Sequence, residues 1–297
     1  MPPELVEPDV VSFEEPTSLE EAIACKATAP ERTTFWSGGT DLGVLLRRQQ
    51  LQPSRLVALH RVEELRRLET RGDPIRIGAG VTHRQIERSP AFGGAYLALR
   101  QACETIGSVQ TRNVGTIGGN LANASPAADT PPVLLALGAD VVLAGPHSQR
   151  TVTLDDFFLD YRQTALAPDE LILAVEIPTM PATGGSAFSK LGRRRAMEIS
   201  IACVGAFLEF DAEGSCVRAG VGLGAVAPTP VRAVGVQELL VGRQPTDDVL
   251  ANAATAAGDV VRPIDDARAS ASYRRDVIVP LVRRTLEAAR DRAGATS

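Results

Sequence analysis

The sequence predicts an α+β protein of about two domains, and three observations carry that prediction. Short apolar runs of strand length alternate with helical patterns through the first hundred residues. Long apolar strands followed by helices fill the C-terminal part. Between them lies a Pro/Gly-rich break, TMPATGG at 179–185. A chain of 297 residues, 44% apolar and 23% charged, suits about two domains with their own cores and excludes a disordered chain. Its 31 basic and 36 acidic residues leave a net charge of −5 with no basic block, which argues against nucleic acid as a partner.

In chain order, VVSFEE reads as a strand and TSLEEAIACKA as a helix, with Ser18 and Glu21 at capping-box spacing and Leu19, Ala22 and Ile23 on one face. TTFW (33–36) is a short strand, and GGTDLGVLLRRQ a turn running into a helix. RLVAL (55–59) and IRIGAG (75–80) are strands, and THRQIERS and AYLALRQACETIG are helical. From 106 to 138 small residues, Asn and Pro punctuate the chain too often for periodicity to speak. DVVLAG and RTVTL form a hairpin, and ELILAVEIP (170–178) a strand. ISIACVGAFLEFD and CVRAGVGLGAV flank AEG as a meander. PVRAVGVQELLVG is expected to be a helix with Pro230 in its first turn, TDDVLANAATAAG a helix capped by Thr, and YRRDVIVPLVRRTLEAARDR the closing helix.

Cys25, Cys103, Cys203 and Cys216 are far apart with no CxxC pair, so a zinc ribbon or a locally ligated iron–sulfur cluster is not expected. No apolar run approaches the ~20 residues of a membrane span. The first residues, MPPELVEP, are acidic where a secretory signal is basic, so a cytoplasmic protein is expected. His60, His83 and His147 are scattered, without metal spacing or a partnered nucleophile, and read as structural or exposed.

Two Gly-Gly segments carry the chemistry. Ser37-Gly38-Gly39-Thr40-Asp41-Leu42 follows a strand directly. Thr116-Ile117-Gly118-Gly119-Asn120 continues to Ser125-Pro126 and Asp129. Residues without Cβ let successive backbone amides turn inward and approach a phosphate, and a following helix start adds donors. Two such segments suit the two phosphates of a dinucleotide, with Thr40, Asn120 and Ser125 adding side-chain hydrogen bonds. The residues alone leave each segment open as an anion-binding loop or a tight strand-to-helix turn. Neither is a P-loop, since no Lys follows, nor a Rossmann fingerprint. Gly78-Ala79-Gly80 reads as an ordinary turn, and Gly220, Gly222 and Gly224 as strand residues.

FWSGGTDL and VGTIGGNLANASPAADTPPVLLALGA resemble the two flavin-binding motifs of the FAD subunit of the molybdenum hydroxylases, the xanthine dehydrogenase and carbon monoxide dehydrogenase family. The resemblance continues through FFLDYRQTAL, ELILAVEIP, SKLGRRRAMEIS, VAPTPVRA and PIDDARASASYRR; SPAADTPP and YRQTAL lean toward the xanthine dehydrogenase branch. It implies a two-lobed FAD-binding domain of the vanillyl-alcohol-oxidase or PCMH type (1–178), a linker (179–185) and a smaller α+β C-terminal domain (186–293). It implies that Phe35, Trp36, Ser37, Gly38, Gly39, Thr40, Asp41 and Leu42 wrap the FAD pyrophosphate. Thr116, Ile117, Gly118, Gly119 and Asn120 lie against the other side of the cofactor. Asn123, Ser125 and Asp129 match further cofactor contacts, Ile106 and Ile172 apolar ones, and Lys190 a lysine near the flavin ring. Trp36 departs from the aliphatic residue usual before this loop, and core packing is the expected role. No catalytic or metal-binding side chain is implied.

Two of these positions have physical limits. Like charges 4 Å apart repel by about 1–4 kcal/mol, so Asp41 and Asp129 are expected to accept hydrogen bonds rather than face phosphate. Asp41 is alternatively a helix N-terminal acid. Lys190 is one of only two lysines against 29 arginines and precedes Arg193-Arg194-Arg195, read as a solvated or subunit-facing strip. A compact ammonium there suits stabilisation of a reduced flavin; the alternative is a plain surface lysine.

The implied function is an electron-transferring FAD subunit whose partners are a large subunit with the molybdenum cofactor and a small subunit with [2Fe–2S] centres, the electrons passing to NAD or another acceptor. The missing cysteine spacing and the chain length agree with those cofactors lying on other chains. The alternatives are a free-standing PCMH-type flavin oxidase or reductase and a binding module with a relic site.

Overall fold

The computed structural model describes residues 11–194 and 196–294. The acidic stretch 1–10 and Arg195 of the arginine triplet lie outside them. A parallel three-stranded sheet forms the first lobe, with Arg55–Ala58 between Ser12–Glu14 and Thr33–Trp36. Parallel pairing needs a crossover, supplied between the first and last of these by the helix Leu19–Ala27. Ser18 accepts the Glu21 amide there, but the Glu21 carboxylate accepts from the Thr17 amide and hydroxyl instead of closing the box on Ser18.

The second lobe is an antiparallel sheet ordered Leu68–Glu69, Ile75–Gly78, Leu171–Ile177, Asp140–Ala144, Gln149–Thr153. Its central strand, LILAVEI, is buried on both faces, which is why it reads as a continuous apolar run. The stretch without legible periodicity holds three helices, Val109–Val114, Ile117–Ala122 and Thr130–Leu137. The last is buried throughout, so no polar face breaks its pattern into a period.

The C-terminal unit is an antiparallel sheet ordered Gly184–Leu191, Ala202–Phe210, Cys216–Gly224, Val231–Arg232. Its first strand begins inside the 179–185 segment read as a linker. Val231 and Arg232 pair with Leu223 and Gly222 as an edge strand, so the helix expected from Pro230 starts at Val234 instead. The closing helix, Ala271–Gly294, lies across this sheet and carries Pro280 within it.

The two faces of this sheet serve different cores. Val204, Ala206, Leu208, Val221 and Leu223 pack with the C-terminal helices, whereas Cys203 and Phe207 join the core of the first domain. The alternation follows from the period-2 side-chain direction of a strand. Gly205, Gly220 and Gly222 fall on the face toward Thr130–Leu137. A Cβ on Gly220 would lie 1.8 Å from the Ala136 carbonyl oxygen, and one on Gly222 2.1 Å from that of Pro132. The evenly spaced glycines are therefore the seat of a helix backbone and not a nucleotide loop.

Candidate functional site

Between the two lobes lies a cavity of about 440 Å³ whose wall contains both glycine segments. The strand Thr33–Trp36 delivers the first. Among the described residues, no amide from Ser37 to Asp41 donates to a protein acceptor. The following helix, Leu42–Arg47, is short, so these uncommitted amides, more than a helix dipole, make the loop an anion cradle. Gly39 sits at φ +68, and a Cβ there would also lie 2.5 Å from Trp36 Cζ2. A Cβ on Gly38 would lie 2.0 Å from the Val114 carbonyl oxygen. The Ser37 and Thr116 hydroxyls, 3.0 Å apart, tie the two segments together.

The second segment differs from the first: of the two readings open for it, the structure shows a tight, internally bonded turn into a helix. Its amides are engaged within the protein: Ile117 donates to Val81, Gly118 to Ala79, Gly119 to the Thr116 hydroxyl and Asn120 to the Thr116 carbonyl. A Cβ on Gly118 would lie 2.4 Å from Ala79 Cβ. Gly118 thus permits close packing against the turn Gly78-Ala79-Gly80, and Ala79 and Gly80 themselves enter the cavity wall. This segment offers the cavity side-chain groups instead. Asn120 Oδ1 accepts from the Thr130 hydroxyl at 2.6 Å and Asn123 Oδ1 from Arg162 at 2.9 Å, leaving both amide NH₂ groups as donors.

Of the residues singled out in the sequence, Phe35, Ser37 to Leu42, Ile106, Thr116, Gly118, Gly119, Asn120, Asn123 and Ile172 line this cavity. Trp36, Ile117, Ser125, Asp129 and Lys190 do not. Ile117 is fully buried core. Trp36 packs over Gly39 and faces an adjacent cavity of about 530 Å³, with Phe13, His60 and Arg66. The Ser125 hydroxyl accepts from the Ala127 amide.

Asp129, which is buried, and Lys190, which is largely buried, form an ion pair of 2.5 Å just behind the wall. Asp129 also accepts from the Thr105 hydroxyl at 3.2 Å and the Ser200 hydroxyl at 2.6 Å, and Lys190 donates to the Thr105 carbonyl. Thr105 precedes the wall residue Ile106. Lys190 is neither a plain surface lysine nor an unpaired charge at the cavity. Asp41 lines the cavity and makes no side-chain capping bond.

Two wall residues carry no signal in the spacing. Glu170 is clamped by two bonds from Arg150, at 2.7 Å each, which neutralise it and hold its carboxyl below the usual range. His83 is 2% exposed, lines the cavity, and has Nδ1 3.8 Å from Cys103 Sγ. Burial, reinforced by the nearby Arg112, pulls its pKa down to about 4, while burial pushes the Cys103 thiol well up.

No lysine or arginine stands in the wall. The site therefore meets negative charge with backbone amides, and its remaining surface is predominantly apolar. An elongated cofactor with a phosphate-bearing middle and planar apolar ends fits this donor set. Among the described residues no group of His, Cys, Asp and Glu can hold a metal ion, and no helix is long and apolar enough to cross a membrane.

Comparison with known proteins agrees. Residues 9–180 match the FAD binding domain in molybdopterin dehydrogenase, and residues 186–289 the CO dehydrogenase flavoprotein C-terminal domain. The carbon monoxide dehydrogenase medium chain of Hydrogenophaga pseudoflava is 30% identical, over 95% of this chain and 98% of that one. The nicotine 6-hydroxylase medium subunit of Paenarthrobacter nicotinovorans is 34% identical, over 93% and 96%. A putative xanthine dehydrogenase FAD-binding subunit of Escherichia coli is 28% identical, over 96% and 98%. Among solved structures, the Hydrogenophaga enzyme superposes with a TM-score of 0.91 at 30% identity, covering 96% of this chain and 99% of that one. Quinoline 2-oxidoreductase of Pseudomonas putida 86 gives 0.88 at 30% identity, covering 97% and 99%.

Proposed function

The chain belongs to the molybdenum hydroxylase family as one of its FAD-binding subunits, and from this we propose that it is the electron-relaying subunit of a xanthine dehydrogenase-like complex. The observation that carries the proposal is the run of uncommitted amides from Ser37 to Asp41 facing a cavity with no cationic side chain. Ser37 to Asp41 hold the pyrophosphate, Thr116, Asn120 and Asn123 add side-chain donors, and Ile106 and Ile172 contact the planar ends. Asp129 and Lys190 set the polarity behind Ile106. FAD supplies the electron chemistry, and this chain binds it, orients it and shields it from water.

In this reading the partners are a large subunit holding the molybdenum cofactor and a small subunit holding [2Fe–2S] centres, and the acceptor is NAD, in a reducing cytoplasm. Four free cysteines, three of them buried and scattered over the fold, support the assignment of the iron–sulfur step to another chain. SPAADTPP and YRQTAL support the xanthine dehydrogenase branch.

The test is isolation of the native complex with metal and flavin analysis, followed by addition of NADH. Molybdenum, iron, flavin that acid precipitation releases into the supernatant, and bleaching of the flavin band by NADH are expected. A flavin retained in the acid pellet, or a native protein without molybdenum or iron, would contradict the reading; a flavin bleached only by other donors would remove NAD from it.

A further inference from the structure

The imidazole of His83 belongs to neither glycine segment, yet it is almost fully buried and forms part of the cavity wall. Its backbone amide is committed to the Gly115 carbonyl at 3.0 Å, and its ring lies against Gly115, where an added Cβ would be 3.3 Å from the imidazole Cδ2. On one side Nδ1 meets Cys103 Sγ. Among the described residues, no protein group takes Nε2.

The proton on this ring is placed by its surroundings. Cys103 is fully buried and holds its proton, so its S–H is available to donate to Nδ1 across the 3.8 Å contact. Arg112 lies nearby, fixed by Glu87 at 2.9 Å and by the Ile106 carbonyl at 3.1 Å, and opposes a second proton on the imidazole. With the thiol proton directed at Nδ1, the neutral ring carries its own proton on Nε2, a donor that no group among the described residues takes and that is reached from the cavity. An acceptor on the bound cofactor is its natural complement.

We propose that His83 is a further cofactor-binding residue, donating from Nε2 to an uncharged acceptor atom on the riboflavin half of FAD, with Cys103 as the positioning residue that fixes the tautomer. The riboflavin half is indicated because the phosphates already have the Ser37–Asp41 amides. Cys103 also lies two residues before Thr105, which joins the Lys190–Asp129 pair behind Ile106. The inference rests on the FAD reading above and adds a residue to it.

The test uses the full chain stripped of flavin and titrated with FAD, FMN and ADP. His83→Leu is expected to weaken FAD and FMN about tenfold, the worth of one net hydrogen bond, and to leave ADP unchanged. His83→Gln, which returns a donor near the Nε2 position, is expected to recover most of the loss and the wild-type shape of the visible flavin band. Cys103→Ser keeps a donor to Nδ1 and is expected to bind as wild type, whereas Cys103→Val is expected to weaken FAD and FMN. Wild-type affinity in His83→Leu, an equal loss for ADP, or no recovery in His83→Gln overturns the inference. If His83→Leu does not fold, the two Cys103 variants decide, and equal FAD affinity in both overturns it. A wild-type chain that takes up no FAD overturns the underlying reading instead.

Discussion

His83 shows how a single residue acquires a role from its surroundings. In the unfolded chain its imidazole takes up a proton near 6.5, whereas in the folded protein burial and Arg112 delay protonation to about 4. Between those values the unfolded state binds more protons, so stability rises with pH across the window and is lost as pH falls through it. Denaturant unfolding of the flavin-free chain is expected to show a loss of about 3 kcal/mol from this residue between neutral pH and about pH 4. His83→Gln is expected to flatten that segment of the curve, and an unchanged slope in the variant would show that other groups carry it. Nothing in THRQIERS distinguishes this histidine from the exposed His147; the sequence shows the helix start, and the structure adds that Thr82 completes a capping box with Gln85. The burial of the ring depends on Gly115 and Cys103, 32 and 20 positions away.

At the scale of elements, two Gly-Gly pairs and one alternating run of glycines do three different jobs. Gly38 and Gly39 form a loop with uncommitted amides in the cavity wall, Gly118 seats one loop on another, and Gly220 with Gly222 seats the helix Thr130–Leu137 on a strand. A Gly222→Ala chain must move the Pro132 carbonyl, which is backbone in a fully buried helix, so relief by side-chain rotation is closed. The expected cost is about 1–3 kcal/mol or more, read as a lowered urea midpoint, with weaker FAD retention because Asp129 immediately precedes that same helix. Gly214→Ala, in the open turn of the same meander where no heavy atom lies within 4 Å of the added Cβ, is the control; its positive φ still costs it a little, so only a larger loss in Gly222→Ala supports the packing role. Strands and turns were legible because each is written in local periodicity and punctuation. The helix Thr130–Leu137 was not, because burial on all sides removes the polar face that periodicity reads.

At the scale of the whole molecule, the Asp129–Lys190 pair joins the two domains: Asp129 and Thr105 come from the first, Lys190 and Ser200 from the second. Asp129→Asn leaves a largely buried ammonium with only the Thr105 carbonyl and a neutral amide beside it, and an expected loss of up to about 3–5 kcal/mol follows from breaking such a pair on one side. Thermal unfolding of the variant checks the size of the loss. A double variant with Lys190→Met is expected to recover part of it, and no recovery would mean that the hydroxyl bonds, not the charge pair, matter. The compositional oddity of Lys190 in an arginine-rich chain singled the residue out in the sequence, but its pairing with Asp129 was not legible there.

The sequence by itself determined the α+β class, the order of most of the longer strands and helices outside 106–138, the glycine loop after Trp36 and the family. Each of these is encoded within a window of residues that are neighbours in the chain. Only the tertiary structure decided which glycine pair keeps its amides free, that Trp36 and Ile117 turn away from the cavity, that Asp129 is paired behind its wall, and that His83 stands in it. Those outcomes depend on which backbone or side chain arrives from elsewhere to occupy a donor, exclude a Cβ or withdraw water, and no local pattern records that arrival.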